Sequence, residues 1–273
     1  MSSKTAFNRT LAGSLVVSSI ILSLAKFQSR APYGKFGGLK KASVDLDPRF
    51  GWWLMELPAT VSFLLNFYWG LNASKDKEDG ASKPSGWMQK LLFVLWVRHY
   101  FNRGWFFPLT IRVATGAKQS FALNNALVGM LFLTAHGYLN ARQFTQFGSH
   151  LNDEWFADPR FKLGMILYEL GFWITVHSEH VVKNLRPLVP VPGDARYKIP
   201  MGGMFHYVTN AAYFGELLAW TGMCTLTWSP TLLPVLFISL GNLVPRAFEQ
   251  HKWYLKKFPD YPKDRKVLIP FVI

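Results

Sequence analysis

The 273-residue sequence has one cysteine, Cys224, so neither an intramolecular disulfide framework nor a thiolate metal cluster can form. Charge is scarce too. Asp, Glu, Lys and Arg make up 17% of the chain, against roughly 25% in soluble domains, and acidic residues number only 16 against 30 Lys and Arg. There is no Gly-x-Gly-x-x-Gly at a strand-to-helix turn, no Walker lysine loop and no His-Glu-x-x-His, which removes Rossmann, P-loop and zincin sites. His177 and His180 stand three residues apart, but Glu179 lies off their face and no third ligand accompanies them, so no metal is expected. Internal repeats and low-complexity tracts are absent, and a mean hydropathy of +0.11 excludes a disordered chain.

What is abundant is apolar surface. Half of the residues are hydrophobic and 16% are aromatic, while the formal charge is +14. That charge alone suits nucleic acid or an anionic membrane, and the apolar fraction decides for the membrane. A spanning helix needs about 20 mostly apolar residues. Seven segments approach this: Leu11 to Ala25, Trp52 to Leu71, Trp87 to Ala114 with an interruption near Arg103, Phe121 to Tyr138, Leu163 to Val182, Phe205 to Thr227, and Leu232 to Val244 with room to run on toward Lys257. Lys4 and Arg9 before the first segment imitate a secretory leader, but no small-x-small cleavage site precedes Lys26 and six further segments follow. The expectation is an all-α integral membrane protein of about seven transmembrane helices, one membrane-embedded domain over 1–273. An N-terminus on the non-cytosolic side puts twenty basic residues on the cytosolic face and nine opposite, as the positive-inside bias requires. Arg186 to Gly203, rich in Pro and Gly, reads as an ordered loop, and Ala73 to Gly86 as a polar hairpin.

Ionisable groups within spans cost about 2.5–3.5 kcal/mol each on insertion scales, so each needs a partner or a purpose. Glu56, Glu169, Glu179 and Glu216 are the carboxylates concerned. Glu56 precedes Pro58, which frees a backbone carbonyl and makes room for a cavity; pairing with Arg98 or Arg103 for assembly explains its position equally well. In the third span Arg98, His99, Tyr100 and Arg103 suggest a polar pocket, with Tyr100 and Arg103 on one helical face. A phenol can serve as acid or oxyanion donor when a neighbour orients it, and an interfacial Tyr beside a snorkelling Arg gives the same pattern. His177, His180, Lys183 and Arg186, with Arg246, His251, Lys252 and Tyr254, form a basic and aromatic group at the cytosolic face. It suits a nucleotide, and it equally suits anionic lipid.

Met55-Glu56-Leu57-Pro58, His99-Tyr100-Phe101, Asn184-Leu185-Arg186, the run from Tyr197 to Phe205, Gly215-Glu216, Arg246-Ala247-Phe248 and the tail from Phe258 to Phe271 resemble the steroid 5-alpha-reductase family. The similarity runs from about Tyr33 to the last residue. It implies a membrane oxidoreductase, monomeric, of the endoplasmic reticulum or a bacterial inner membrane, that uses NADPH to saturate the C4–C5 double bond of a 3-oxo-Δ4-steroid. It implies catalytic roles for Tyr100 and Glu56 at the 3-oxo group, in a steroid pocket built mainly from the N-terminal helices. A cofactor site of Tyr33, Lys35, Arg103, Glu179, Arg186, Tyr197, Asn210, Glu216, Arg246 and Tyr254, mainly in the C-terminal half, is also implied. The partners so implied are a steroid and the bilayer, with no nucleic acid and no metal. Thr175, Ala212 and Gln250 depart from the family's usual residues. Other readings are a reductase of another enone or enoyl lipid, an isoprenylcysteine-type S-adenosylmethionine methyltransferase, and a non-catalytic sterol binder.

Overall fold

Long runs of Leu, Phe, Trp and Ala with few β-branched interruptions favour helices, and helices satisfy every backbone polar group without water. The computed structural model describes residues 3–27, 44–75, 86–112, 121–187 and 197–273. Within them the chain is mostly helical: α1 (Ser3–Phe27), α2 (Pro48–Lys75), α3 (Gly86–Tyr100), a π-helical segment Phe101–Phe106, α4 (Phe107–Thr110), α5 (Leu123–Arg142), α6 (Pro159–Asn184), α7 (Ala211–Thr227) and α8 (Leu233–Lys257). The extended pieces β1 (Asp45–Leu46) and β2 (Phe121–Ala122) pair antiparallel and tie the start of α2 to that of α5.

α6 packs along α7, α2 along α5, and α1 along α8. The α6–α7 contact is close because glycines line it: a Cβ on Gly164 or Gly171 would collide with the backbone of Leu226 or Ala219, and one on Gly222 with that of Tyr168. Small residues let helix axes approach where apolar burial alone gives no drive. The core between α2, α3, α5 and α7 is aromatic, with Phe63 stacked on Trp96 at 4.4 Å and Tyr100 beside Trp96 at 5.0 Å. Outward faces are apolar as well: Leu65 and Trp69 on α2, Val128 and Leu131 on α5, and Ile166, Leu170 and Trp173 on α6 are all exposed. Lipid accepts such bands and water does not. Among the described residues, two helical segments, Phe7–Leu24 and Pro230–Lys257, are long and apolar enough by themselves to cross a membrane.

The third apolar segment breaks where the sequence indicated. At Phe101–Phe106 the ladder widens to π geometry, and the Phe107 amide donates to Asn102 O five residues back. Pro108 has no N–H for a regular i→i−4 bond, which explains the location of the widening. The sixth segment differs from expectation: α7 begins at Ala211, not at Phe205. Residues before it are held by the chain's end instead, with Thr209 N donating to Lys266 O at 2.9 Å and Lys266 N to Tyr207 O at 2.9 Å. Arg265 Nη1 donates to Pro200 O at 3.0 Å, and Gly202 and Gly203 make the turn between at positive φ. The two longest recognisable sequence stretches thus lock against each other. The seventh segment continues as a helix to Lys257 through Pro245.

Candidate active site

Arg103 is the hub of the polar interior. The π widening turns it inward, and Gly104 behind it lets the backbone approach α2: a Cβ there would sit 3.2 Å from Glu56 Cβ. Its Nε donates to Glu56 Oε1 at 3.0 Å and its Nη1 to Glu216 Oε2 at 2.9 Å, joining α2 and α7 through one guanidinium. The Trp52 ring lies 5.3 Å from the guanidinium carbon, and Trp52 Nε1 donates to Arg103 O at 3.1 Å. Glu179 on α6 joins through Asn102, whose Nδ2 stands 3.4 Å from Glu179 Oε2. Of the two partners open to Glu56, the structure selects Arg103. Arg98 instead makes a bidentate pair with Glu169 at 3.0 and 2.6 Å.

Glu56 is only 2% exposed, and its second oxygen, Oε2, is buried without a partner. Tyr100 is buried beside it at 1% exposure, within electrostatic reach of Glu56, Arg103 and Glu216. His99, His136 and Trp220 complete an aromatic wall, with ring centroids 5.3, 6.2 and 6.3 Å from Tyr100. A narrow cavity opens against this group, lined by His99, Asn102, Arg103, Thr175, Glu179 and Glu216 among others. Sequence reading had no role for Asn102 and named His99 only as a pocket residue. The signal for both was present in the run from His99 to Arg103, which the π segment folds over the cavity. His136 was missed because a single His in an apolar segment carries no pattern.

The other described cofactor candidates, Arg186, Tyr197, Asn210, Arg246 and Tyr254, do not line this cavity. Arg186 follows the C-cap of α6, and its Nη1 donates to Arg112 O at 2.5 Å while Arg112 Nη1 donates back to Arg186 O at 2.7 Å. Tyr197 packs edge-on against Trp253 at 5.0 Å, and Tyr254 stacks on Tyr261 at 5.1 Å. Arg246 lies on α8, about three turns before the basic end of that helix. The Asn210 amide nitrogen is spent on structure, donating to Ala247 O at 3.1 Å and Val267 O at 2.8 Å. Thr175 gives its hydroxyl to Gly171 O at 2.9 Å. Tyr33 and Lys35 lie outside the described residues.

Residues 119–273 match the family model described as 3-oxo-5-alpha-steroid 4-dehydrogenase. The chain is 36% identical to the Bos taurus 3-oxo-5-alpha-steroid 4-dehydrogenase 1 over 89% of its own length and 88% of that protein's. It is 35% identical to the Sus scrofa 3-oxo-5-alpha-steroid 4-dehydrogenase 2 over 96% of both chains. It belongs to the steroid 5-alpha-reductase family. A plant relative, the Solanum lycopersicum steroid 5-alpha-reductase DET2, is 32% identical over 89% of the chain and 88% of that protein. The chain is accordingly an oxidoreductase acting on CH–CH bonds in steroid metabolism. Membership in this reductase family implies a nicotinamide cofactor, and the interior chemistry accommodates one. The ring nitrogens of His99 are buried without partners at the cavity, and Glu56 Oε2 is likewise unpartnered behind the lining residue Arg103, so unused hydrogen-bonding capacity exists for a polar heterocycle.

Proposed function

We propose that the protein reduces the C4–C5 double bond of 3-oxo-Δ4-steroids with NADPH, giving 5-alpha-dihydrosteroids. The observation that carries this reading is Glu56, held at one oxygen by Arg103 and presenting the other, unpartnered, beside the buried Tyr100. NADPH supplies the hydride that reaches the β carbon of the enone. Negative charge then grows on the 3-oxo oxygen, and stabilising it until a proton reaches the α carbon C4 and restores the ketone is the catalytic task of the protein. Tyr100 donates a hydrogen bond to that oxygen. Glu216 neutralises Arg103, so Glu56 serves as a protonated acid whose Oε2 carries a second donor. In a site closed to water such preorganised donors act at low dielectric and need no reorganisation.

Arg103, Glu179 and Glu216 lie at the nicotinamide end. Arg186 and Arg246 provide guanidinium donors for the phosphates, and Lys35 is a further cation for them. Tyr33, Tyr197 and Tyr254 offer faces and hydroxyls to the adenosine half, and Asn210 fixes the α7–α8 corner. Bidentate arginine contacts to a 2′-phosphate favour NADPH over NADH. About seven spans, with the N-terminus on the non-cytosolic side, put this basic end at the cytosolic face. The reading is tested by incubating the full chain in liposomes with NADPH and testosterone, progesterone or an enoyl thioester. Steroid-dependent loss of absorbance at 340 nm with a 5-alpha product supports it; reduction of the thioester alone assigns another substrate.

A further inference from the structure

His99 combines three features that its neighbours do not share. It lines the cavity, it is 8% exposed, and both of its ring nitrogens are buried without partners. Its ring is held by aromatic neighbours: Trp220 at 4.4 Å, Tyr100 at 5.3 Å, and Tyr168 and Phe172 each at 6.3 Å. Leaving a buried donor or acceptor unpaired costs about 1–3 kcal/mol, so a fixed and empty imidazole edge marks a place for a ligand group. A neutral imidazole offers one N–H and one bare nitrogen. Glu179 on α6 lines the same cavity, and the bond it accepts from Asn102 Nδ2 is long at 3.4 Å, so its oxygens retain capacity to accept. The cavity therefore opposes a donor on α3 to an acceptor on α6, a pairing that complements a primary carboxamide, which accepts through its oxygen and donates through its nitrogen.

Resting on the cofactor reading above, we propose that His99 and Glu179 clasp the carboxamide of the nicotinamide, His99 N–H donating to its oxygen and Glu179 accepting from its NH2. The clasp would fix the rotation of the carboxamide in the cavity.

Two cofactor analogues separate the two bonds. Thionicotinamide replaces the oxygen with sulfur, a weaker acceptor, and keeps the NH2; 3-acetylpyridine keeps the oxygen and loses the NH2. Dissociation constants of NADP⁺ and both analogues are measured by quenching of tryptophan fluorescence on the full chain in liposomes. Wild type is expected to prefer NADP⁺ over each analogue by about tenfold, the worth of one well-made hydrogen bond. His99→Phe abolishes the preference over the thio analogue and keeps that over the acetylpyridine analogue, Glu179→Ala does the reverse, and His99→Asn, which retains an N–H, restores part of the first. If His99→Phe weakens all three dinucleotides equally, or changes none, the clasp is wrong and the cofactor reading stands. If wild type binds no NADP⁺, the cofactor reading falls and the clasp with it.

Discussion

At the scale of single residues, chemistry and assembly meet on one guanidinium. Arg103 holds Glu56 and Glu216 from two different helices, so removing it leaves the Glu216 carboxylate uncompensated and Glu56 without its donor, at a cost of about 3–5 kcal/mol. Arg103→Leu is therefore expected to lower the yield of folded protein as well as activity, measured by detergent-resistant monodispersity and turnover together; a stable, fully active variant would contradict the hub role. Tyr100 makes no comparable structural link. Tyr100→Phe should lower kcat about 100-fold with the NADPH KM unchanged, and Glu56→Gln about 10-fold, since its amide still donates. Normal kcat in both variants would remove these two residues from the reaction. Glu56, Tyr100, Arg103, Glu179 and Glu216 were visible in the sequence because charged and phenolic groups stand out in apolar runs. Which arginine meets which glutamate was not, because pairing depends on where the π turn aims Arg103 and Arg98.

At the scale of elements, glycine spacing and capping control the α6–α7 pair. Gly171→Leu must push α7 away and should abolish folding or cut the melting temperature sharply, whereas Gly86→Ala, with open space around it, should leave it unchanged. Equal effects in both would contradict the close-packed interface. Asp158 caps the N-terminus of α6, accepting from Arg160 N at 2.8 Å, and its side-chain bonds with Arg160 lower its pKa to about 2. A depressed carboxyl stabilises fully above its ordinary value near 4 and loses that contribution as pH falls through about 2. Asp158→Ala is thus expected to lower the melting temperature by the same amount at every pH from 5 to 8; a difference that varies across that window would contradict this assignment. Apolar length located the helices, and Pro108 explains the break near Arg103. The start of α7 was illegible because Phe205 to Asn210 are apolar enough for a helix, yet their hydrogen bonds go to Lys266 and Met204, more than 50 residues away in the first case.

At the scale of the whole molecule, scarcity of acid and excess of apolar surface become one design. Outward-facing Leu, Ile, Val and Trp on α2, α5 and α6 suit lipid, while polar groups turn inward around Arg103. Basic residues collect near the ends of α6 and α8, where an anionic dinucleotide is proposed to enter. The single free thiol, Cys224, packs against the apolar core between helices. The central claim is that the polar interior around Arg103 brings a nicotinamide cofactor to a Δ4-3-oxosteroid held by Tyr100 and Glu56. Its most direct test is turnover of the full chain in liposomes with NADPH deuterated at C4 and testosterone, following deuterium by mass spectrometry and NMR. The account predicts one deuterium at C5 in the 5-alpha configuration, and at least 100-fold less of this product from Tyr100→Phe. Deuterium-free product, a 5-beta product or undiminished turnover by Tyr100→Phe would contradict it.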